Sequence, residues 1–120
     1  AELYEKLGEI HFKLRDFDNA INSYRNALNV SGKRAYYLRF IADVYFEKHD
    51  YRTATAEYEK VIAINAKDWD AYHRLGDSYI ALKMFEAAKT IFKKLILLNP
   101  GYSKISLVKK KLTDLESVNR

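Results

Sequence analysis

Three carboxylates, Glu9, Asp43 and Asp77, recur at a strict spacing of 34 residues, and three histidines, His11, His49 and His73, fall at unequal separations. Carboxylates in a row can meet cationic groups of a partner, whereas imidazoles hold a metal only at ligand spacing. These histidines share no such spacing, so no metal site is expected. The chain has no Cys, which removes thiol nucleophiles and disulfides. It also has no phosphate-cradling glycine loop, no H-E-x-x-H and no paired acid and base in a loop. Neither catalysis nor a cofactor is expected, and the chemistry that remains is noncovalent recognition. Neighbouring acids about 10 Å apart would repel by roughly 0.4 kcal/mol in water and roughly 1.7 kcal/mol at an effective dielectric of about 20. That cost is tolerable without a function, and a solvated face partly neutralised by Lys13 and Arg39 explains the row equally well.

The elements that must position these residues are clearest between Trp69 and Pro100. Tyr72, Leu75, Gly76 and Tyr79 fall at i, i+3, i+4 and i+7, one face of a helix, and Ala88, Phe92 and Leu95 mark a second. Lys83-Met84-Phe85-Glu86 is short enough that the two fold back as an antiparallel pair, and Asn99-Pro100-Gly101 ends the second helix. A mid-helix glycine costs about 0.5–1 kcal/mol, so Gly76 needs a close packing partner, for which Ala88 is the candidate. Moving the pattern back by 34 residues lands on Leu38, Ile41, Ala42 and Tyr45 with Ala54, Tyr58 and Val61, and again on Tyr4, Leu7, Gly8 and His11 with Ala20, Tyr24 and Ala27. Asp16 and Asp50 suit the N-cap of each second helix and Asp68 that of the third hairpin, while Met84 lacks a capping side chain.

One hundred and twenty residues, 48% hydrophobic, suffice for one soluble helical domain with a continuous core. No apolar run reaches the length of a membrane span, and the opening residues are not a signal peptide. The compartment and the oligomeric state stay open. The chain starts on a helical pattern without Met, which reads as a piece of a longer protein.

From residue 1 to about 102 the chain resembles the tetratricopeptide repeat family, with its W-x2-L-G-x2-Y, A-x3-F and proline in 34 residues. Tyr4, Leu38 and Tyr72 replace the tryptophan, His11 a tyrosine and Ala42 the glycine. The resemblance implies an all-α, right-handed superhelical solenoid of repeats at about 1–34, 35–68 and 69–102. After Tyr102, Ile105, Val108, Leu112 and Leu115 form a narrow stripe with Lys109, Lys110 and Lys111 turned outward, a seventh, capping helix over about 103–118. Nothing comparable covers the N-terminal end.

In that family the free arc of each first helix lines a concave groove that binds partner peptides. Here the arc is Glu2, Glu5, Lys6, Glu9 and Lys13, then Tyr36, Arg39, Phe40, Asp43 and Glu47, then Asp70, His73, Arg74, Asp77 and Ala81, each net −1 in a chain of +5. Phe12, Phe46 and Ile80 make a second row, either packed between first helices or offering an apolar floor. The expectation is a non-enzymatic scaffold for a basic or amphipathic peptide. Family members that grip a chaperone's C-terminal carboxylate use Lys, Asn, Asn, Lys and Arg where Glu5, Glu9, Asp43, His73 and Asp77 stand, so an acidic chaperone tail is not the expected ligand. The bland readings are a core-edge His11, a turn His49 and a surface His73. Two alternatives remain open. The basic outer surface, with Arg25, Lys60, Lys89, Lys93, Lys94 and the Lys109–Lys111 cluster, could meet an anionic membrane or RNA, although no stacking platform or RNA motif supports nucleic acid. The uncovered N-terminal end could also self-associate or dock against its own parent chain.

Overall fold

The computed structural model describes residues 1–118. Within them the chain runs through seven helices and no strand: α1 (Glu2–Lys13), α2 (Phe17–Ser31), α3 (Arg34–Glu47), α4 (Tyr51–Ile64), α5 (Trp69–Ala81), α6 (Phe85–Leu98) and α7 (Ile105–Val118). Each helix packs chiefly on its neighbours in sequence, which gives an elongated stack of 49 × 25 × 21 Å. Three antiparallel hairpins and a terminal helix thus make an all-α repeat solenoid.

The hairpin turns share one geometry. Arg15, His49 and Lys83 take φ of 60°, 66° and 61°, in the left-handed region. Behind each, the next amide reaches back five residues: Asp16 N to His11 O at 2.8 Å, Asp50 N to Tyr45 O at 2.9 Å and Met84 N to Tyr79 O at 2.8 Å. This is the Schellman closure, which satisfies the last carbonyls of α1, α3 and α5 with a non-glycine residue in the position that glycine prefers. Asp50 then caps α4 through Thr53 N, and Asp68 caps α5 through Ala71 N. Asp16 departs from expectation. It sits at the N-cap of α2 without a capping bond, because its carboxylate accepts from Asn19 Nδ2 at 2.7 Å and lies 3.3 Å from His11 Nδ1.

Buried side chains form two adjoining groups, one centred on α2, α3 and α4, the other on α5, α6, Tyr102 and α7, with Ile62, Tyr79 and Ile91 packed against both. The partner of Gly76 is Phe92, not Ala88: a Cβ on Gly76 would run into the Phe92 ring, and one on Gly8 would stand 2.6 Å from Tyr24 Cε1. The small residue therefore lets the first helix rest on an aromatic face. In the middle hairpin Ala42 holds this place and is itself fully buried.

Two other expectations are corrected. Leu7, assigned to the core, is exposed, and Tyr4 is only half-buried, because no helix among the described residues lies on the outer side of α1. The terminal helix begins at Ile105, after a turn in which Ile105 N donates to Tyr102 O at 3.0 Å. Its Val108 and Leu115 are buried against the third hairpin, and Ile105 and Leu112 half-buried.

Candidate functional site: a groove with two clefts

The first helices of the repeats place the 34-residue rows side by side, and the groove residues divide between two clefts. The first, about 290 Å³, lies between α1 and α3. Glu9, Phe12, Lys13, Asp43 and Glu47, all candidates from the sequence, line it together with Tyr24, Phe40, Val44 and Arg74. Tyr24 and Phe40 stack at 5.3 Å between centroids and build an aromatic wall. Burial pushes the Tyr24 hydroxyl up to about 12, helped by the charges of Glu9, Glu5 and Asp43, which marks the cleft as electronegative. Glu9 is exposed and Glu47 half-buried, and neither makes a hydrogen bond or ion pair among the described residues.

Asp43 is different from Glu9. Its carboxylate accepts the Tyr58 hydroxyl, and burial raises its pKa against the opposing pull of that bond, Arg39 and Arg74. The acid row is thus not a uniformly solvated face. Asp77 is also engaged, accepting from Lys111 Nζ at 2.8 Å.

The second cleft, about 360 Å³, gathers Arg39, Asp43, Asp70, His73 and Asp77 with Arg74, Tyr102, Lys104, Leu107 and Lys111. At its base runs a chain of donors: Lys111 Nζ reaches His73 Nε2 at 3.0 Å, His73 Nδ1 reaches the Tyr102 hydroxyl at 3.2 Å, and Tyr102 donates to Asp70 Oδ1 at 2.7 Å. Because Tyr102 spends its proton on Asp70 and Lys111 has only protons to give, these roles assign a neutral His73 protonated at Nδ1. Burial lowers the His73 pKa, partly opposed by Asp77 and reinforced by Lys111, Lys104 and Arg74. The Tyr102 bond is the main cause that holds the Asp70 carboxyl low.

This arrangement corrects three sequence expectations. His73 is buried rather than on the surface, since Tyr102 and α7 fold over it. Lys111 points into the groove, so only Lys109 and Lys110 stand outward. Lys89, expected outward, is buried and paired with Glu86 at 3.1 Å. With Lys104 and Lys111 present, the third-repeat end of the groove is mixed in charge and not acidic. Lys111 was visible in principle, because it sits three residues after Val108 and four before Leu115, beside the buried stripe.

The other candidates lie around the clefts. Glu5 accepts from Tyr37 at 2.9 Å and Tyr36 at 3.5 Å, Tyr36 is exposed, and Glu2 stands in solvent. Arg39 spans Asp68 at 3.6 Å and Asp70 at 3.2 Å. Phe12, Phe46 and Ile80 are half-buried and packed on the core, with the Arg74 guanidinium 4.9 Å above the Phe46 ring. Phe12 also walls the first cleft, whereas Phe46 and Ile80 line neither cleft. Among the described residues no group of His, Cys, Asp or Glu is placed to hold a metal, and no helix is long and apolar enough to cross a membrane.

Sequence profiles described as tetratricopeptide repeat match residues 45–112 and 1–33. The chain belongs to the tetratricopeptide repeat family. A search of the curated proteins finds no significant match. Among solved structures, it is similar to the TPR2B domain of yeast Sti1 in complex with pHsp70, at 19% identity and TM-score 0.84, covering 99% of this chain and 97% of that one. The first TPR of Spaghetti (RPAP3) bound to the HSP90 peptide SRMEEVD gives 22% identity, TM-score 0.82 and coverage of 97% and 92%. The Arabidopsis OM64 TPR domain gives 24%, 0.78 and 92% of each chain.

Proposed function

We propose that the chain is a protein-interaction scaffold whose concave groove takes a peptide segment with a Lys or Arg beside an apolar anchor. The observation that carries this reading is the first cleft, where the unpaired carboxylates of Glu9 and Glu47 flank the Phe12, Tyr24 and Phe40 rings. A cationic side chain gains Coulomb attraction and ring contact there, and its aliphatic stem covers apolar surface. Likeness to TPR domains solved with Hsp70 and HSP90 peptides supports peptide binding in the groove. Residues 1–102 act as three repeats in this reading, with α7 as their cap.

A second reading has its own observation. Arg74 and Lys104 line the second cleft and form no ion pair among the described residues, so an acidic tail has a foothold at that end even though Glu5, Glu9, Asp43, His73 and Asp77 replace the family's clamp. Fluorescence anisotropy with two labelled peptides separates the readings. A peptide with spaced Arg and Leu should bind, weaken with Glu9→Gln plus Glu47→Gln, and weaken further as salt rises, because exposed charges are screened beyond about 8 Å at physiological ionic strength. Tighter binding of a peptide ending in acidic residues, lost with Arg74→Ala plus Lys104→Ala, would replace the first reading with the second.

A further inference from the structure

The two clefts adjoin, and what each leaves unpaired has the opposite sign. Asp43 and Arg74 line both, so one extended segment can reach from the first into the second. In the first cleft three carboxylates stand with two cations, and Glu9 and Glu47 make no hydrogen bond or ion pair among the described residues; Lys13, also unpaired, offsets one of them. In the second, four cations stand with three carboxylates. Each of those carboxylates already accepts from a donor of the chain itself: Asp43 from Tyr58, Asp70 from Tyr102 and Arg39, and Asp77 from Lys111. What the second cleft has to spare is positive, namely Arg74 and Lys104, which form no ion pair among the described residues. The Arg74 guanidinium lies 4.9 Å from the centre of the Phe46 ring with no printed acceptor on its N–H groups, which leaves its fork of donors open to a carboxylate.

A wholly basic segment would satisfy Glu9 and Glu47 and then run against Arg74 and Lys104. A wholly acidic one would satisfy those cations and then run against the free carboxylates. Like charges repel in both cases, which is discrimination by a penalty on the wrong ligand. We propose that the groove selects a partner segment of mixed charge, with a Lys or Arg and its apolar neighbour in the first cleft and an Asp or Glu in the second, where Arg74 and Lys104 receive it. The inference rests on the peptide-groove reading above and adds the partner's charge order, joining in one ligand what the two readings treat as alternatives. Packed helices lie about 8–10 Å apart, and an extended segment advances about 3.3 Å per residue. The two charges of the ligand therefore stand about three residues apart.

The test is fluorescence anisotropy of the whole chain with labelled peptides of one length. The first carries Arg and Leu with Glu about three residues from the Arg; the second has Gln in place of that Glu; the third moves the Glu next to the Arg; the fourth keeps the spaced Glu and replaces the Arg with Gln. The first should bind at least about threefold tighter than each of the others, the scale of one partly exposed charge pair. Arg74→Gln plus Lys104→Gln should bring the first and second peptides to equal affinity. Lys104→Gln alone, at an exposed side chain, should remove part of the gain, so the test does not hang on the fold of the Arg74 variant. If the second peptide binds and weakens with Glu9→Gln plus Glu47→Gln while the spaced Glu adds nothing, the mixed-charge proposal falls and the peptide-groove reading stands. If the second peptide binds without responding to those carboxylates, or does not bind, both fall. A first peptide no tighter than the third or the fourth would also overturn the proposal, since net charge or the acid alone would then explain the binding.

Discussion

At the α7 end of the stack, Val108 and Leu115 are buried on the third hairpin and Lys111 turns back to Asp77 and His73; at the α1 end, Leu3, Ile10 and Leu14 stand in solvent. Both ends carry an apolar stripe at helical spacing. The stripe tells which face of a helix seeks cover, whereas burial depends on whether another helix arrives, a property of the stack and not of the stripe. The polar residues follow the same logic. Glu9 stays exposed, but Asp77, at the equivalent place two repeats on, is drawn into a network by a lysine from α7.

The largest expected effect breaks this asymmetry directly. Val108→Asp puts a carboxylate into a fully buried site and should lower unfolding stability by about 3–5 kcal/mol, whereas Ile10→Asp should stay within about 1 kcal/mol, both measured by urea denaturation. Comparable losses at the two positions would show that α1 is covered after all.

Next comes the pairing of small residue and aromatic. Gly76→Ala should cost about 1–3 kcal/mol, because its Cβ enters the space of the buried Phe92 ring, and overpacking outweighs the gain in helix propensity. Ala42→Gly should cost about 1–2 kcal/mol through backbone entropy together with the loss of a buried methyl group. A stabilised Gly76→Ala protein would mean that the hairpin can open to admit the methyl group.

The His73 network gives a pH signature. Its pKa is lowered in the folded chain, so below the ordinary histidine value the unfolded chain binds more protons and stability is lost as pH falls. The raised pKa of Asp43 and of Asp68 act in the opposite sense at lower pH, so the comparison must be made against His73→Asn. Melting temperatures between about pH 7 and pH 5 should fall more steeply for the parent chain than for that variant, because the variant lacks the buried His73 imidazole, a group whose ordinary value is near 6.5. Parallel profiles would remove the neutral His73 assignment.

The smallest effect lies in the hairpin turns. Lys83→Gly should raise stability by about 0.5–1 kcal/mol, since glycine takes the left-handed conformation without the Cβ penalty. Loss of stability there would point to a contact of the lysine side chain.

The hairpins, their register and the terminal helix were legible because the same apolar spacing occurs three times and the turns are too short to separate the helices. Part of the first cleft was legible for a related reason: Glu9 and Asp43 repeat with the helices that carry them, whereas Glu47, with Lys13 and Ala81 at the equivalent places, does not. What escaped were contacts made across long separations. Tyr102 reaches Asp70 and His73, Lys111 reaches back to α5, and Asp43 finds Tyr58; none of these pairings leaves a periodic trace. Gly76 was recognised as a point of close approach, but its partner lay one helical turn from Ala88, a difference that spacing alone does not resolve.

The central claim concerns where a basic peptide sits, and amide chemical-shift mapping by NMR during titration with the Arg- and Leu-containing peptide tests it most directly. The account predicts that shifts gather at Glu9, Phe12, Lys13, Phe40, Asp43 and Glu47, around the first cleft. Shifts confined to Lys93, Lys94, Lys109 and Lys110, with that cleft silent, would contradict it.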